Sequence, residues 1–175
     1  MSTPRVLGLD LSITATGVAM PDGQLDTLRP STVGDYRLDE IAQAVGILAA
    51  GVDVVAIEEG LVKSFASFKL GMVHGAVRRR LIVAGIPYAL VAPATLKKYA
   101  TGSGGSGVSK ADMRMALYKR AEIDERDDNR VDAWWLRAAA LDAYGYPIVE
   151  MPRLNVEALG KVEWPATHHA RLEAS

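Results

Sequence analysis

Three acidic side chains lie in stretches of sequence that are otherwise apolar. Asp10 interrupts an apolar strand-like stretch, Glu58 ends another, and Asp132 lies in an apolar helical segment. An ionised carboxylate removed from water costs several kcal/mol unless it is paired or binds a metal ion. Oxygen ligands suit Mg²⁺ or Mn²⁺, and two such ions can activate a water molecule and stabilise the leaving oxygen of a phosphodiester. The residue types therefore predict a divalent metal site suited to phosphodiester hydrolysis.

Two residues close to Asp132 could complete this ligand set. Asn129 and Asp128 precede it by three and four residues, so each shares a helix face with Asp132. Each acid also has a structural explanation when it is taken alone. Asp10 could form a buried salt bridge, Asp132 could lie on a solvated face, and an acid such as Asp128 stabilises the first turn of a helix. The joint placement of the three acids is what favours a metal site.

The middle third of the chain is strongly basic. Residues 61–120 contain 11 lysines and arginines and one acid, and both flanking segments are acidic. The glycine-rich stretch 102–107 predicts a flexible loop. Lys110 lies in the first turn of the predicted helix that follows, where a cation is unfavourable unless an anion binds. This distribution suits a polyanion such as DNA, although solvated helix faces would give the same composition. The candidate contacts for phosphates and bases are Lys97, Lys98, Phe65 and Phe68.

Composition limits the class of protein. The 175 residues include no cysteine, and 49% are hydrophobic, which suits one domain with its own core. A disulfide framework and a thiolate zinc site are excluded. No stretch of sequence has the length of a membrane span, and no signal-peptide pattern is present. We therefore expect a soluble cytoplasmic protein with no membrane partner.

Periodicity predicts an α/β domain. Turn residues and alternation favour an antiparallel meander of three strands, followed by helices that alternate with two buried strands. Ser109 and Asp112 have the spacing of a helix capping box. A right-handed crossover would make the first and fourth strands neighbours, so that Asp10 and Glu58 meet. We predict a five-stranded mixed sheet with helices on both faces. The predicted strands are 5–11, 16–20, 25–28, 54–58 and 88–91, and the predicted helices are 38–50, 65–84, 94–99, 109–121 and 127–144.

Several short motifs, taken together, resemble those of RuvC-type Holliday junction resolvases. They are Gly8-Leu9-Asp10-Leu11-Ser12 with Thr16-Gly17, Ala56-Ile57-Glu58, Phe68-Lys69-Leu70-Gly71, the glycine-rich loop ending in Lys110, and Asp132-Ala133. The resemblance implies a ribonuclease H-like fold and a homodimer. It also implies paired cuts in a four-way DNA junction that depend on two Mg²⁺ ions per site, with Mn²⁺ able to replace them. The expected products carry 5′-phosphate and 3′-hydroxyl ends.

The resemblance also implies roles for individual residues. Asp10, Glu58 and Asp132 would be metal ligands, and Lys110 would support the scissile phosphate as a fourth catalytic residue. Asn129 occupies the place of a further acid, so either its amide oxygen or Asp128 would complete the metal site. The expected DNA-binding residues are Lys63, Phe65, Lys69, Lys97, Lys98, Lys110 and Arg114.

The resemblance covers roughly residues 5–144, within a nuclease domain that we assign to residues 1–146. It leaves residues 147–175 as a partly helical C-terminal extension with no assigned function. Asn129 in place of an acid, and Leu61 in place of a base-stacking aromatic, leave open a non-catalytic module that binds branched DNA. Forks and flaps are alternative substrates. An actin-like phosphotransferase, suggested only by the N-terminal motif, would need a second lobe that 175 residues do not supply. The expected setting is DNA recombination and repair in the cytoplasm of a bacterium or a phage-infected host cell.

Overall fold

A computed structural model describes residues 2–60 and 65–166, and the side chains of residues 65–67 are not among those described. The described chain forms one five-stranded sheet with helices on both faces. The strands are β1 (Val6–Asp10), β2 (Thr16–Ala19), β3 (Leu25–Leu28), β4 (Val54–Glu58) and β5 (Tyr88–Val91). The helices are α1 (Tyr36–Leu48), α2 (Phe65–Val83), α3 (Pro93–Thr101), α4 (Lys110–Ala121), α5 (Asp128–Ala143) and α6 (Arg153–Val156), followed by a 3₁₀ helix (Glu157–Lys161).

The order of the strands across the sheet is β3-β2-β1-β4-β5. The first three strands are antiparallel neighbours, and β4 and β5 continue the sheet in parallel with β1. The predicted mixed sheet with an N-terminal meander is therefore confirmed. Leu9 pairs with Ile57, and Asp10 and Glu58 are the residues that follow them. Both acids therefore lie at the carboxyl ends of adjacent parallel strands.

Each face of the sheet has its own core. Leu7 and Leu9 pack with residues of α1 and α2 on one face, whereas Val6 packs with α3, α4 and α5 on the other. Side chains alternate along a strand, so Asp10 projects to the same face as Val6. Glu58 likewise projects with Ala56 toward α5. The alternation of β1 and β4 thus directs both carboxylates to the face that carries Asp132.

Two glycines let α5 approach the sheet closely. A Cβ atom built on Gly8 would collide with the backbone carbonyl oxygen of Ala133, and one built on Gly17 would collide with that of Asn129. Gly17 is also the strand partner of Asp10. The missing side chains therefore set the depth at which α5 lies on β1 and β2.

The glycine-rich stretch differs from the flexible loop that its composition suggests. A Cβ atom on Gly104 would lie 2.7 Å from the carbonyl oxygen of Ala94 in α3, and Lys97 donates to the carbonyl of Val108 at 3.1 Å. Glycine serves here for close packing against α3. The predicted capping box is confirmed, because Ser109 accepts from the backbone of Asp112 while the Asp112 carboxylate accepts from the backbone of Ser109.

The chain beyond α5 continues the core on the α5 face. Leu159 is buried there, and Val162 and Trp164 pack against the same cluster. Residues 147–166 therefore share a core with the domain assigned to residues 1–146. In the part of the chain that is described, every helix is too short or too polar to cross a membrane.

We expect Gly17→Ala to destabilise the protein by about 2 kcal/mol or more, since its methyl group must displace the backbone of α5. Urea unfolding followed by far-UV circular dichroism measures this loss. Gly160→Ala is the matched control, because a Cβ there meets open space, and it should change the free energy of unfolding by less than about 0.5 kcal/mol. Equal stability of the two variants would contradict the close approach of α5.

Candidate active site

The structure brings Asp10, Glu58 and Asp132 together at the end of the sheet where β1 and β4 finish. Asp10 ends β1, Glu58 ends β4, and Asp132 lies in the second turn of α5. Burial raises the pKa of Asp10 to about 8, with further contributions from the charges of Glu58 and Asp132. Burial, followed by the charge of Asp132, raises the pKa of Glu58 to about 7. Burial also raises the pKa of Asp132, to about 6, although the charge of Lys110 lowers it. Each carboxylate is thus half-buried and disfavoured in its charged form.

Among the described residues, these three carboxylates have no hydrogen-bond or ion-pair partners that would explain their burial. Within residues 2–60 and 65–166, none of them accepts a hydrogen bond or forms an ion pair. The same residues contain no ready-made group of three or more acidic or histidine side chains positioned to hold a metal ion. Mg²⁺ does not require such a cage, because it keeps several water molecules and binds through one or two carboxylates. The donor chemistry therefore fits a hydrated divalent cation.

Two lysines face the acids. Lys110 opens α4 and lowers the pKa values of all three carboxyl groups, and Lys97 of α3 lowers those of Glu58 and Asp132. The capping box fixes the start of α4, and the bond from Lys97 to Val108 ties the preceding loop to α3. Local structure therefore places both cations where a phosphate beside the acids would meet them.

Asp128 and Asn129 have different contacts. Asp128 pairs with Lys110 at 3.2 Å and with Arg114 at 3.5 Å, so it connects the start of α5 to α4. Asn129 donates from its amide nitrogen to the carbonyl of Ala15 at 2.9 Å. This bond holds the β1–β2 loop against α5. The amide oxygen of Asn129 accepts no hydrogen bond from the described part of the chain.

A network that sequence reasoning missed surrounds the start of α5. Asp127 caps the helix by accepting from the backbone of Asn129, and it also accepts from the Thr27 hydroxyl at 3.1 Å. Arg130 donates to Thr27 at 2.8 Å and pairs with Glu125. The network joins the edge strand β3 to the helix that carries Asp132. In the sequence, only the three-residue spacing of Asp127 and Arg130 indicated this network, as a pair on one helix face. Thr27 lies 100 residues before Asp127.

The remaining expected DNA contacts lie in several places. Arg114 is at the acid site through its pair with Asp128. Lys98 is exposed on α3, and Lys69 is exposed on α2 beside a cavity of about 350 Å³ on the α1 side of the sheet; neither affects the pKa of the three acids. Lys63 lies outside the described residues. Phe65 begins α2, and its side chain is outside the description.

The arrangement of the sheet and helices is a ribonuclease H-like fold. No protein-family model and no curated protein sequence matches the chain. Among solved structures, it is similar to Thermus thermophilus RuvC, with 21% identity, a TM-score of 0.62, and coverage of 84% of this chain and 99% of that chain. It is also similar to T. thermophilus RuvC in complex with a Holliday junction substrate, with 19% identity, a TM-score of 0.64, and coverage of 85% and 99%. The chain therefore has a RuvC-like fold, as the motifs predicted.

We expect the metal-free protein to become less stable as the pH rises from about 4 to about 8. In that window the folded state retains protons on Asp10, Glu58 and Asp132 that the unfolded chain has released, because all three pKa values are raised. At pH 8 in EDTA, Asp10→Asn should therefore be more stable than the wild type by ~1 kcal/mol or more. Denaturant unfolding across this range measures the effect.

The exposed Asp124 supplies the control, since Asp124→Asn should behave as the wild type does. Adding Mg²⁺ at pH 8 should raise the melting temperature of the wild type more than that of Asp10→Asn. The same pH slope in Asp10→Asn and the wild type would contradict the assigned electrostatics.

Proposed function

We propose that the protein is a DNA endonuclease that resolves four-way junctions, or related branched DNA, by metal-dependent phosphodiester hydrolysis. The observation that carries this proposal is the set of three half-buried carboxylates, Asp10, Glu58 and Asp132, without hydrogen-bond or ion-pair partners among the described residues. A group of acids that raise one another's pKa is typical of a functional site. The RuvC-like fold supports the reaction class, and one of the similar structures contains a Holliday junction substrate.

The oxygens of Asp10, Glu58 and Asp132 would hold Mg²⁺ or Mn²⁺, with two ions per site as the proposed number. The amide oxygen of Asn129 is a further candidate ligand, whereas Asp128 is already engaged with Lys110 and Arg114. When bound, such ions polarise the phosphodiester and favour attack by water. The three carboxylates would supply the negative charge that attracts the ions, and β1, β4 and α5 would orient these carboxylates.

The cations of α3 and α4 would hold the DNA backbone beside the acids. Lys110 lies at a helix N-terminus, where backbone N–H groups also favour a phosphate, and its pairing with Asp128 fixes its position. Arg114 lies one turn further along α4. We propose that Lys110 supports the scissile phosphate and that Lys97 and Arg114 contact the adjacent strand. Hydrolysis would leave 5′-phosphate and 3′-hydroxyl ends.

A non-catalytic module that binds branched DNA is the second candidate. It is favoured by Asn129, which stands in place of a fourth acid and whose amide nitrogen donates to the carbonyl of Ala15. Such a module would bind junctions without cutting them. A cleavage assay on a synthetic four-way junction separates the two functions.

We expect the wild type to nick a synthetic four-way junction in Mg²⁺ or Mn²⁺ and to be inactive in EDTA. Asp10→Asn should lower the cleavage rate by at least about 100-fold, since it removes a proposed metal ligand, while junction binding in a gel-shift assay is retained. Forks, flaps and linear duplex of the same sequence identify the preferred substrate.

Asp124→Asn should cleave at the wild-type rate and serves as the matched control. Cleavage by Asp10→Asn at the wild-type rate would refute the role of Asp10. Tight junction binding by the wild type, with no cleavage in either metal, would replace the endonuclease with the binding module.

We also propose that the protein acts as a homodimer, with the outer face of α2 as its interface. Ile82 and Val83 are about two-thirds exposed there. Gly71 and Gly75 of the same helix line a cavity of about 230 Å³ beside His74. Small residues that border a cavity allow the close approach of a second helix, and two active sites are needed for paired cuts across a junction.

Sedimentation velocity at micromolar concentration should show a dimer of the wild type. Gly75→Glu should shift it to monomer without unfolding it, because a Cβ at Gly75 meets open space in the single chain. Gly160→Glu is the control, because Gly160 is exposed in the 3₁₀ helix and a Cβ there also meets open space. This variant should remain dimeric. A monomeric wild type would contradict this part of the proposal.

A further inference from the structure

We propose that the C-terminal segment, residues 147–166, positions Lys97 and Lys110 for the reaction, and that Asn155 is the positioning residue through which it acts. The catalytic consequence rests on the proposed function, whereas the structural link can be measured without it. The segment follows α5 and contains α6 and the 3₁₀ helix. Asn155, in α6, is 5% exposed.

Asn155 holds the end of α3. Its amide nitrogen donates to the backbone carbonyl of Tyr99 at 2.8 Å in a buried environment. The last carbonyl groups of a helix have no partner within the helix, so a side chain from another element satisfies one of them here. Gly102 ends α3 in the left-handed region, with φ of 87°, and a Cβ there would lie 3.5 Å from the Asn155 side-chain oxygen. Asn155 therefore packs against the point where α3 becomes the glycine-rich loop.

The loop that follows is bound back to α3. The Thr101 hydroxyl donates to the carbonyl of Lys97 at 2.9 Å and accepts from the backbone of Ser103 at 3.3 Å. Further along, Gly104 lies against Ala94, and the Lys97 ammonium group donates to Val108. The next residue caps α4, whose first residue is Lys110. The end of α3, the loop and the start of α4 therefore form one connected unit that carries both lysines.

The segment is itself anchored, so it can restrain this unit. The Tyr144 hydroxyl donates to the carbonyl of Pro165 at 2.7 Å, and the rings of Tyr144 and Trp164 meet edge to face at 6.0 Å. Leu159 is buried in the core shared with α3 and α5. The segment that carries Asn155 is thus held by Tyr144 and by the core, while Asn155 itself bonds to α3. Within the described part of the chain, Asn155 forms no hydrogen bond with the acids or the lysines, so its effect on them passes through α3.

The test compares Asn155→Ala with Arg153→Ala. Arg153 lies in the same short helix, but its side chain is exposed and, among the described residues, pairs with Glu157 alone, so it is a matched control. Hydrogen exchange read by mass spectrometry should show faster exchange across residues 98–109 in Asn155→Ala and no change in Arg153→Ala. On a four-way junction, kcat of Asn155→Ala should fall roughly tenfold or more. Its KM should change by a smaller factor than its kcat, since the loss of positioning acts mainly on the transition state.

A second variant tests the link from the other side. Gly104→Ala leaves the segment unchanged but pushes the loop away from Ala94, and it should reproduce the faster exchange and the lower kcat. If Asn155→Ala fails to fold, Asn155→Leu replaces it, because leucine keeps the volume of the side chain but removes the amide donor to Tyr99. Wild-type exchange in Asn155→Ala, or a released loop with wild-type kcat in either variant, would overturn the proposal. A wild type that binds but never cuts would refute the endonuclease function, and the exchange data alone would then decide whether Asn155 holds the loop.

Discussion

The close approach of α5 to the sheet is the constraint on which the candidate site depends. Backbone oxygens of α5 occupy the space that side chains at Gly8 and Gly17 would fill. At this depth Asp132 is near enough to Asp10 and Glu58 to raise their pKa values. If methyl groups at Gly8 or Gly17 pushed α5 outward, Asp132 would move away from the strand ends that carry Asp10 and Glu58. Two residues without side chains thus set how closely Asp132 approaches the other two carboxylates.

Among the described residues, these carboxylates have no hydrogen-bond donors, although other carboxylates do. Hydrogen bonds from the Thr32 side chain, and then from the backbone of Ser31 and Thr32, lower the pKa of Glu40 to about 2. Asp127 is likewise satisfied by Thr27 and the start of α5. Asp10 is the contrary case, because burial and like charges make its ionised form unfavourable. Stability is lost at the place where proposed function requires charge, which is a common relation between stability and activity.

Sequence reasoning predicted the parts of this structure that depend on local pattern. The apolar runs that end in Asp10 and Glu58 specified buried strands, and Ser109 with Asp112 specified the start of α4. The contacts that it missed join residues far apart in the chain. Thr27 to Asp127, Asn129 to Ala15 and Asn155 to Tyr99 are hydrogen bonds across long separations, and no periodicity encodes them. Glycines in the loop were interpreted as flexible because the sequence does not show that Gly104 packs against α3.

The pairing of β1 with β4 has a consequence for how the chain reaches its native state. These strands are separated by about 40 residues, and the acid on α5 lies more than 70 residues beyond β4. Such distant contacts form only after large entropic costs of loop closure have been met, so they slow folding. During synthesis, β1, β2 and β3 emerge with Asp10 long before α5 exists. The acidic cluster consequently cannot assemble on a nascent chain until α5 has emerged from the ribosome.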